Sequence, residues 1–152
     1  MVLYFFDDLI TPVEKIYFKK RSKALLIGDK ILKIKGRIDN FNNYYSPSLK
    51  KEKIKILKKY KNFKFKLLDL NNYKKSYNVI KKIKPNCIYH LASQPGIMYS
   101  FENPKTYRRN NIDVTINLIK ICKKIKLEKF YFTSSSSVYG NQKNYPLREN
   151  SK

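Results

Sequence analysis

Strand-like and helix-like blocks alternate from Asn40 to Gly140, and this alternation constrains the fold more than any other feature of the sequence. Phe63, Phe65 and Leu67 alternate with lysines, which is the period of a strand with one buried face. A helix is predicted on each side of this strand, the first beginning at Ser46-Pro47 with a capping serine and a proline in its first turn. The predicted inner faces are Leu49, Ile56, Leu57 and Tyr60 for the first helix, and Tyr73, Tyr77, Ile80 and Ile83 for the second.

Two nearly continuous apolar runs follow, at residues 87–92 and 130–132, and they predict strands that are buried on both faces. A third helix is predicted between them, from about Pro104 to Lys124. Its predicted inner stripe is Ile112, Ile116, Ile119 and Cys122. Strands joined by helices imply a parallel sheet, so the sequence predicts the α/β class with a doubly wound parallel sheet.

Polar residues follow three of the predicted strands directly. These are Asp39-Asn40, residues 91–94 and residues 133–137. In a doubly wound sheet, ligands bind outside the carboxyl ends of the strands. We therefore expect these three segments to line one crevice.

The first 37 residues fit this plan poorly, although Met1–Phe6 is a candidate first strand. A nucleotide-binding sheet normally carries a glycine-rich turn after its first strand, about 20 residues before an acidic residue such as Asp39. The four glycines of the chain, Gly28, Gly36, Gly96 and Gly140, lie far apart, so no such turn exists. We expect residues 1–37 to be a divergent segment that replaces the first strand and the turn, and residues 38–152 to form a partial nucleotide-binding domain.

The formal net charge of +23 invites a nucleic-acid interpretation. However, the lysines are spread over every predicted helix at positions that a helix or loop leaves in water. We therefore favour a solvated lysine surface over a specific nucleic-acid site.

Metal and membrane sites are not expected. His90 is the only histidine, and the two cysteines, Cys87 and Cys122, lie far apart in apolar segments, so we expect buried free thiols and no zinc site. No apolar run approaches the roughly 20 residues of a membrane span. Residues 1–10 lack the features of a signal peptide, so we expect a cytoplasmic protein without a membrane partner.

His90 and the four consecutive serines, Ser134–Ser137, are the remaining candidates for chemistry. No nucleophile is spaced to form a familiar triad with His90, so we expect a packed histidine rather than a base. The serines lie between apolar anchors, and a hydroxyl there could bond a substrate oxygen. A serine hydroxyl is too weak a base to act without a partner of tuned pKa.

Three stretches, in order, resemble the NAD-dependent sugar-nucleotide epimerase/dehydratase family, the extended branch of the short-chain dehydrogenases/reductases. They are residues 38–48 (IDNFNNYYSPS), 90–107 (HLASQPGIMYSFENPKTY) and 133–140 (TSSSSVYG). The chain looks most similar to the UDP-glucuronate 4-epimerases of that family, although Met98 stands where those enzymes usually carry Arg. The resemblance implies an incomplete Rossmann-like fold with an irregular N-terminus.

The resemblance also implies roles for individual residues around NAD and a nucleotide-sugar. Cofactor contacts are implied for Asp39 and Asn40 at the adenosine ribose, Asp69 and Leu70 at the adenine, Leu91, Ala92 and Ser93 along the cofactor, and Asn111 in the third helix. Gln94 is implied near the sugar. Ser135 best matches the catalytic hydroxyl, with Ser136 and Ser137 as competitors, while the family's Tyr-x-x-x-Lys motif falls beyond Lys152.

Three functional hypotheses follow. The first is a partial sugar-nucleotide 4-epimerase that is inactive alone, because the glycine-rich turn and the Tyr-x-x-x-Lys motif are missing. The second is a non-catalytic binding or interaction module with the same fold, as a monomer or homodimer. The third is a basic nucleic-acid-binding protein.

Overall fold

The computed structural model describes residues 3–6, 34–61, 63–142 and 145–149. The weak helix and strand signals at residues 22–32 lie outside these ranges, as does Gly28. The strands are β1 (Leu3–Phe6), β2 (Ile34–Asp39), β3 (Lys64–Leu67), β4 (Cys87–His90) and β5 (Lys129–Phe132). The α-helices are α1 (Pro47–Leu57), α2 (Tyr73–Ile83), α3 (Ile97–Glu102), α4 (Pro104–Arg108) and α5 (Val114–Ile125). A π-helical segment, Arg109–Asp113, joins α4 to α5, and a 3-10 helix spans Ser136–Tyr139.

The five strands form one sheet in the order β3-β2-β1-β4-β5. β2 pairs parallel with β3, and β4 pairs parallel with β5. β1 lies in the centre and runs antiparallel to both β2 and β4. The α/β class and the Rossmann-like arrangement are thus confirmed, but the prediction of a wholly parallel sheet is wrong at β1.

The reversed direction of β1 has a simple physical basis. Leu3 lies opposite Ile38 and His90, and Phe6 lies opposite Ile34 and Cys87. An antiparallel strand satisfies the backbone donors and acceptors of its neighbours as fully as a parallel strand does. The central position can therefore be occupied in either direction, and β1 ends at the edge of the sheet where β2 and β4 begin.

The hydrophobic core lies between this sheet and the helices α2 and α5. Ile38 and Ile88 from the strands contact Ile80 of α2 and Leu118 of α5 within one buried cluster. The inner face predicted for α2 is confirmed, because Ile80 is buried and Tyr73, Tyr77 and Ile83 pack against the cluster. The predicted buried strand at residues 87–92 is confirmed by the burial of Cys87 and Ile88 in β4.

The inner faces predicted for the other two helices are wrong, although Cys122 of the third helix is buried as predicted. In α5 the buried residues are Val114, Leu118, Ile121 and Cys122, while Ile112, Ile116 and Ile119 are about half exposed. The two stripes are two residues apart, which places them on roughly opposite sides of a helix with 100° per residue. In α1 only Ile54 is buried, and Leu49, Ile56 and Tyr60 are exposed. Both helices are apolar on more than one side, so spacing alone could not select the buried side.

The strand predicted at residues 130–132 forms, but it lies at the edge of the sheet and is not buried on both faces. Phe130 packs against the core, whereas Phe132 is 56% exposed. An edge strand has a neighbour on one side only, so its faces receive less cover than those of β4.

Candidate functional site

The carboxyl ends of β2, β3, β4 and β5 lie at one edge of the sheet, because these four strands run in the same direction. This edge therefore receives Asp39-Asn40, Asp69, residues 91–94 and the serine segment. The amide of Thr133 donates to the backbone oxygen of His90 at 3.2 Å, which ties the exits of β4 and β5 together. The three segments thus lie at one edge of the sheet, while the expectation that they line a single crevice stays a prediction.

Asp39 ends β2 as a buried carboxylate. Its Oδ2 accepts a hydrogen bond from Nη2 of Arg37 at 2.7 Å, and its Oδ1 accepts one from the amide of Phe41 at 2.9 Å. The Asp39 side chain is 0% exposed and that of Arg37 is 7% exposed. In this arrangement the carboxylate shapes the turn after β2, and a ribose could reach it only if the turn opened.

The turn after Asp39 is ordered by further local bonds. The side-chain oxygen of Asn40 accepts from the amide of Asn42 at 3.2 Å. Nζ of Lys50 donates to the backbone oxygen of Asn42 at 2.9 Å and to its Oδ1 at 2.8 Å. Burial lowers the pKa of Lys50, and attraction to Asp39 partly opposes this. Phe41, which has a positive φ of 49°, stacks on Phe65 of β3.

Asp69 and Leu70 follow β3 and differ in their surroundings. Asp69 accepts from the amide of Asn71 at 2.9 Å and from Nη2 of Arg109 at 2.8 Å. Leu70 is buried in the hydrophobic core, and its backbone oxygen accepts from Nδ2 of Asn117 at 3.3 Å. Asp69 is therefore available at the sheet edge, whereas the Leu70 side chain is directed into the protein.

An open groove of about 720 Å³ lies beside the ends of β2 and β3. Its polar lining includes Asn40, Lys66, Asp69, Asn72, Lys75 and Asn78. Residues 91–94 and the serines do not line this groove. The structure thus brings Asn40 and Asp69 to one concavity and leaves the other predicted site residues along the same edge.

The loop at residues 91–94 leaves β4 and is fixed by one side chain. Oδ1 of Asn111 accepts from the amide of Gln94 at 2.6 Å, and Nδ2 of Asn111 donates to the backbone oxygen of Gln94 at 3.0 Å. Gln94 and Ala92 are buried, Leu91 is half-buried and Ser93 is exposed. Asn111 thus holds the loop through its backbone.

His90 extends this network inward. The amide of Ala92 donates to Nδ1 of His90 at 3.4 Å, and Nε2 lies 2.9 Å from Oγ1 of Thr115. That hydroxyl donates to the backbone oxygen of Asn111 at 2.6 Å. These partners assign the ring proton to Nε2 of a neutral imidazole. Burial lowers the pKa of His90 to about 4, so the expectation of a packed histidine is confirmed.

Ser134, Ser135 and Ser137, which follow β5, are exposed at the same edge. Oγ of Ser135 accepts from the amide of Ser137 at 3.2 Å, which caps the 3-10 helix, and the two hydroxyl oxygens lie 3.1 Å apart. Ser136 begins this 3-10 helix. These bonds stay within the serine segment, so they explain its conformation but supply no base.

The spacing Tyr-x-x-x-Lys does occur after the serines, at Tyr139 and Lys143, which the sequence reasoning overlooked. Tyr139 ends a 3-10 helix, and the following residues are not helical where they are described. In an α-helix this four-residue spacing brings two side chains together on one face, and the described residues here do not form one. Lys143 itself lies outside the described ranges.

Four residues of the edge were not predicted, namely Arg37, Arg109, Thr115 and Asn117. Simple spacing could have indicated two of them. Arg37 lies two residues before Asp39 in a strand, and Thr115 lies four residues after Asn111 in a helix, so each pair shares a face. The partners of Arg109 and Asn117 are more than 35 residues away, and no local pattern indicates them.

Three further observations concern the cysteines, metal binding and membrane-spanning helices. Cys87 and Cys122 are buried free thiols, and burial raises the pKa of each to about 11. Among the described residues, no cluster of histidine, cysteine and acidic side chains could hold a metal ion. Within the same ranges, no helix has the length and apolarity needed to cross a bilayer.

Comparison with known proteins shows the family of this chain. The family model described as GDP-mannose 4,6 dehydratase matches residues 23–152. The chain is 38% identical over 128 residues to an uncharacterised protein of Methanocaldococcus jannaschii, covering 84% of this chain and 39% of that protein. It is 34% identical to the UDP-glucuronate 4-epimerase of Thermodesulfobacterium geofontis, covering 69% of this chain and 32% of that enzyme.

A solved relative gives the same result in three dimensions. The UDP-glucuronic acid 4-epimerase of Bacillus cereus, determined with UDP-4-deoxy-4-fluoro-glucuronic acid and NAD, aligns with a TM-score of 0.66 and 35% identity. The alignment covers 74% of this chain and 35% of that enzyme. The chain thus spans about a third of the length of these relatives. With the family model matching most of its residues, the chain belongs to the NAD-dependent sugar-nucleotide epimerase/dehydratase family.

Proposed function

We propose that this chain is a partial NAD-dependent sugar-nucleotide epimerase/dehydratase of the UDP-glucuronate 4-epimerase type, and that it does not turn over substrate by itself. The observation that carries the proposal is the ordered carboxyl edge of the sheet. There the Asn111-held loop after β4 lies at the same edge as Asn40 and Asp69 after β2 and β3. Sheets of this class bind nucleotides at this edge.

The groove beside Asn40 and Asp69 suits the adenosine end of NAD. It offers amide and carboxylate groups, and its volume of about 720 Å³ is within the range of small-molecule sites. We assign Asn40 and Asp69 to direct contacts, while the buried Asp39 orients the turn. Leu70 contributes its backbone, and Leu91, Ala92 and Ser93 form the adjacent wall with Gln94 toward the sugar.

The pyrophosphate of NAD fits less well. The family's turn would follow a first strand that ends at the carboxyl edge, whereas β1 ends at the opposite edge. Gly36 lies within β2 and Gly96 precedes the short helix α3, so neither forms a phosphate-binding turn with α1 or α2. NAD supplies the hydride acceptor in this family.

Ser135 is the hydroxyl that we propose for the sugar oxygen, with Ser136 and Ser137 as its alternatives. In the described part of the chain, the hydrogen bonds of the Ser135 hydroxyl go to Ser137, and none joins it to a general base. A lone serine hydroxyl cannot remove a proton efficiently at neutral pH. For this reason we expect no turnover even if a nucleotide-sugar binds.

The test is an assay of the purified chain with NAD and UDP-glucuronate, using the Thermodesulfobacterium geofontis epimerase as the positive control. We expect no UDP-galacturonate from the chain. Its formation would overturn the inactivity. Separately, AMP should shift the NMR amide signals of Asn40, Asp69 and Asn72; shifts confined to other regions would overturn the placement of the adenosine.

A second candidate function is a non-catalytic interaction module, favoured by apolar side chains left in water. Ile97, Met98 and Phe101 on α3 are each at least 72% exposed, and an exposed stripe along the π-helical segment and α5 is formed by Ile112, Ile116 and Ile119. Exposed apolar patches commonly mark protein contacts. A homodimer would be seen by light scattering and should be lost in Ile116→Lys; a monomer at high concentration would exclude that form of the module.

A further inference from the structure

The same tetrapeptide, Lys-Lys-Ile-Lys, ends two helices of the core. It occupies residues 81–84 at the end of α2 and residues 123–126 at the end of α5. The last lysine of each copy adopts the left-handed conformation, with φ 51° at Lys84 and φ 55° at Lys126. The strands that follow, β4 and β5, are parallel neighbours, and Cys87 pairs with Lys129. The two junctions therefore lie side by side at the edge opposite the nucleotide site.

A groove of about 390 Å³ lies between the two junctions. Four lysines line it together with one aromatic and one acidic residue, namely Lys81, Lys84, Lys124, Lys126, Tyr77 and Glu128. Nζ of Lys124 lies 4.6 Å from the ring centroid of Tyr77, and Nζ of Lys81 lies 5.6 Å from it. The Tyr77 ring thus holds two ammonium groups toward the groove by cation–π attraction.

The charge of the groove is not neutralised within the described part of the chain, where none of its four lysines forms an ion pair. Glu128 and the negative ends of the two helix dipoles offset part of the positive charge. The net charge of the groove is still positive, because four ammonium groups outweigh one carboxylate and the partial charges of two helix ends. The amides of Lys84 and Lys126 are bonded to helix carbonyls, so binding would depend on the ammonium groups alone.

We propose that this groove binds an oligophosphate anion. Ammonium groups on flexible stems act as point charges, which suits the many oxygens of linked phosphates. The lining of the groove contains no arginine, so it offers no planar fork for bidentate binding of one carboxylate or one phosphate. The same phosphate chemistry occurs in a free oligophosphate and in the backbone of single-stranded RNA.

The test is calorimetric titration of the whole chain with inorganic tripolyphosphate at about 150 mM salt, where distant surface charges are screened. The groove variant is Lys81→Gln, Lys84→Gln, Lys124→Gln and Lys126→Gln together. The matched control is Lys51→Gln, Lys53→Gln, Lys55→Gln and Lys58→Gln, which removes the same number of exposed charges in and just after α1. Thermal unfolding of each variant verifies that it is folded.

We expect the groove variant to bind tripolyphosphate at least about tenfold more weakly than the native chain does. The affinity of the control variant should change less than about twofold. A second pair of variants removes a negative charge instead: Glu128→Gln should tighten binding, whereas Glu52→Gln on α1 should not. Equal losses in the two lysine variants, or no saturable binding by the native chain, would overturn the proposal. Oligouridylate is titrated in parallel. Tighter binding of tripolyphosphate would identify a free oligophosphate as the ligand, and tighter binding of oligouridylate would identify single-stranded RNA.

Discussion

Asn111 binds both backbone polar groups of Gln94, at 2.6 Å to the amide and 3.0 Å to the carbonyl oxygen. The two residues are 17 positions apart, and they join the π-helical segment to the loop after β4. One primary amide can make this pair of bonds because it carries an acceptor and a donor side by side. The bonds therefore fix the path of the loop at the carboxyl edge of the sheet.

Asn111→Ala should destabilise the fold by about 1–3 kcal/mol, because it leaves the backbone groups of Gln94 without their partners. Asn111→Asp should be at least as harmful, since a carboxylate keeps the acceptor but sets a second oxygen against the Gln94 carbonyl. Urea unfolding measures both. Asn78→Ala, at an exposed position of α2, is the matched control and should change stability little. If Asn111→Asp is as stable as the native chain, the donor half of the clamp contributes nothing.

His90 makes stability depend on pH. Its pKa falls from 6.5 to about 4 on burial, so the unfolded chain takes up the proton more readily than the folded chain. This contribution to stability is fully present above about pH 6.5 and is lost as pH falls toward 4, by up to ~1.4 kcal/mol per pH unit. Because the chain has one histidine, its imidazole NMR signals report the titration directly.

The variant His90→Asn cannot titrate in this range and keeps an acceptor for the amide of Ala92. Its free energy of unfolding should therefore lack the additional decline between pH 6.5 and 4. Carboxylates titrate in both proteins and cancel in the comparison. An imidazole that titrates near 6.5 in the folded native chain would contradict the buried, neutral state.

The Arg37–Asp39 pair predicts strong coupling between two substitutions. Asp39→Asn removes a carboxylate that is 2.7 Å from a buried guanidinium and should cost about 3–5 kcal/mol. Adding Arg37→Met removes the buried positive charge itself, so the double variant should be more stable than Asp39→Asn alone. Denaturant unfolding of the four proteins gives the coupling energy; simple additivity would mean that the two charges do not interact.

The direction of β1 can be tested with the natural Cys87. Phe6 lies opposite Cys87 in the antiparallel register, whereas Leu3 lies opposite His90. Residues directly opposite on paired strands are close enough for a disulfide. Phe6→Cys should cross-link to Cys87 on mild oxidation, as seen by peptide mass, and Leu3→Cys should not. The reverse result would indicate a parallel first strand.

Local sequence patterns predicted the buried residues correctly where an element has a single apolar side. Tyr77 and Ile80 lie on the only apolar side of α2, so spacing selected the buried side correctly. The apolar run of β4 is typical of an interior strand. At the sheet edge, the motifs that carry the family resemblance placed Asn40 and Gln94 at strand ends, and the alternation of apolar residues and lysines before Asp69 placed that residue at another. The parallel direction of β2 to β5 brought them to one side.

The sequence by itself therefore determined the α/β class, the order of the strands from β2 to β5 and the family. Tertiary structure alone decided the direction of β1, the buried stripe of α5 and the partners of Asn111, Arg37 and Arg109. Periodicity states which residues share a face, but it does not state which of two apolar faces meets the sheet. Likewise, backbone groups are satisfied by a strand in either direction, so the choice depends on contacts between residues far apart in the chain.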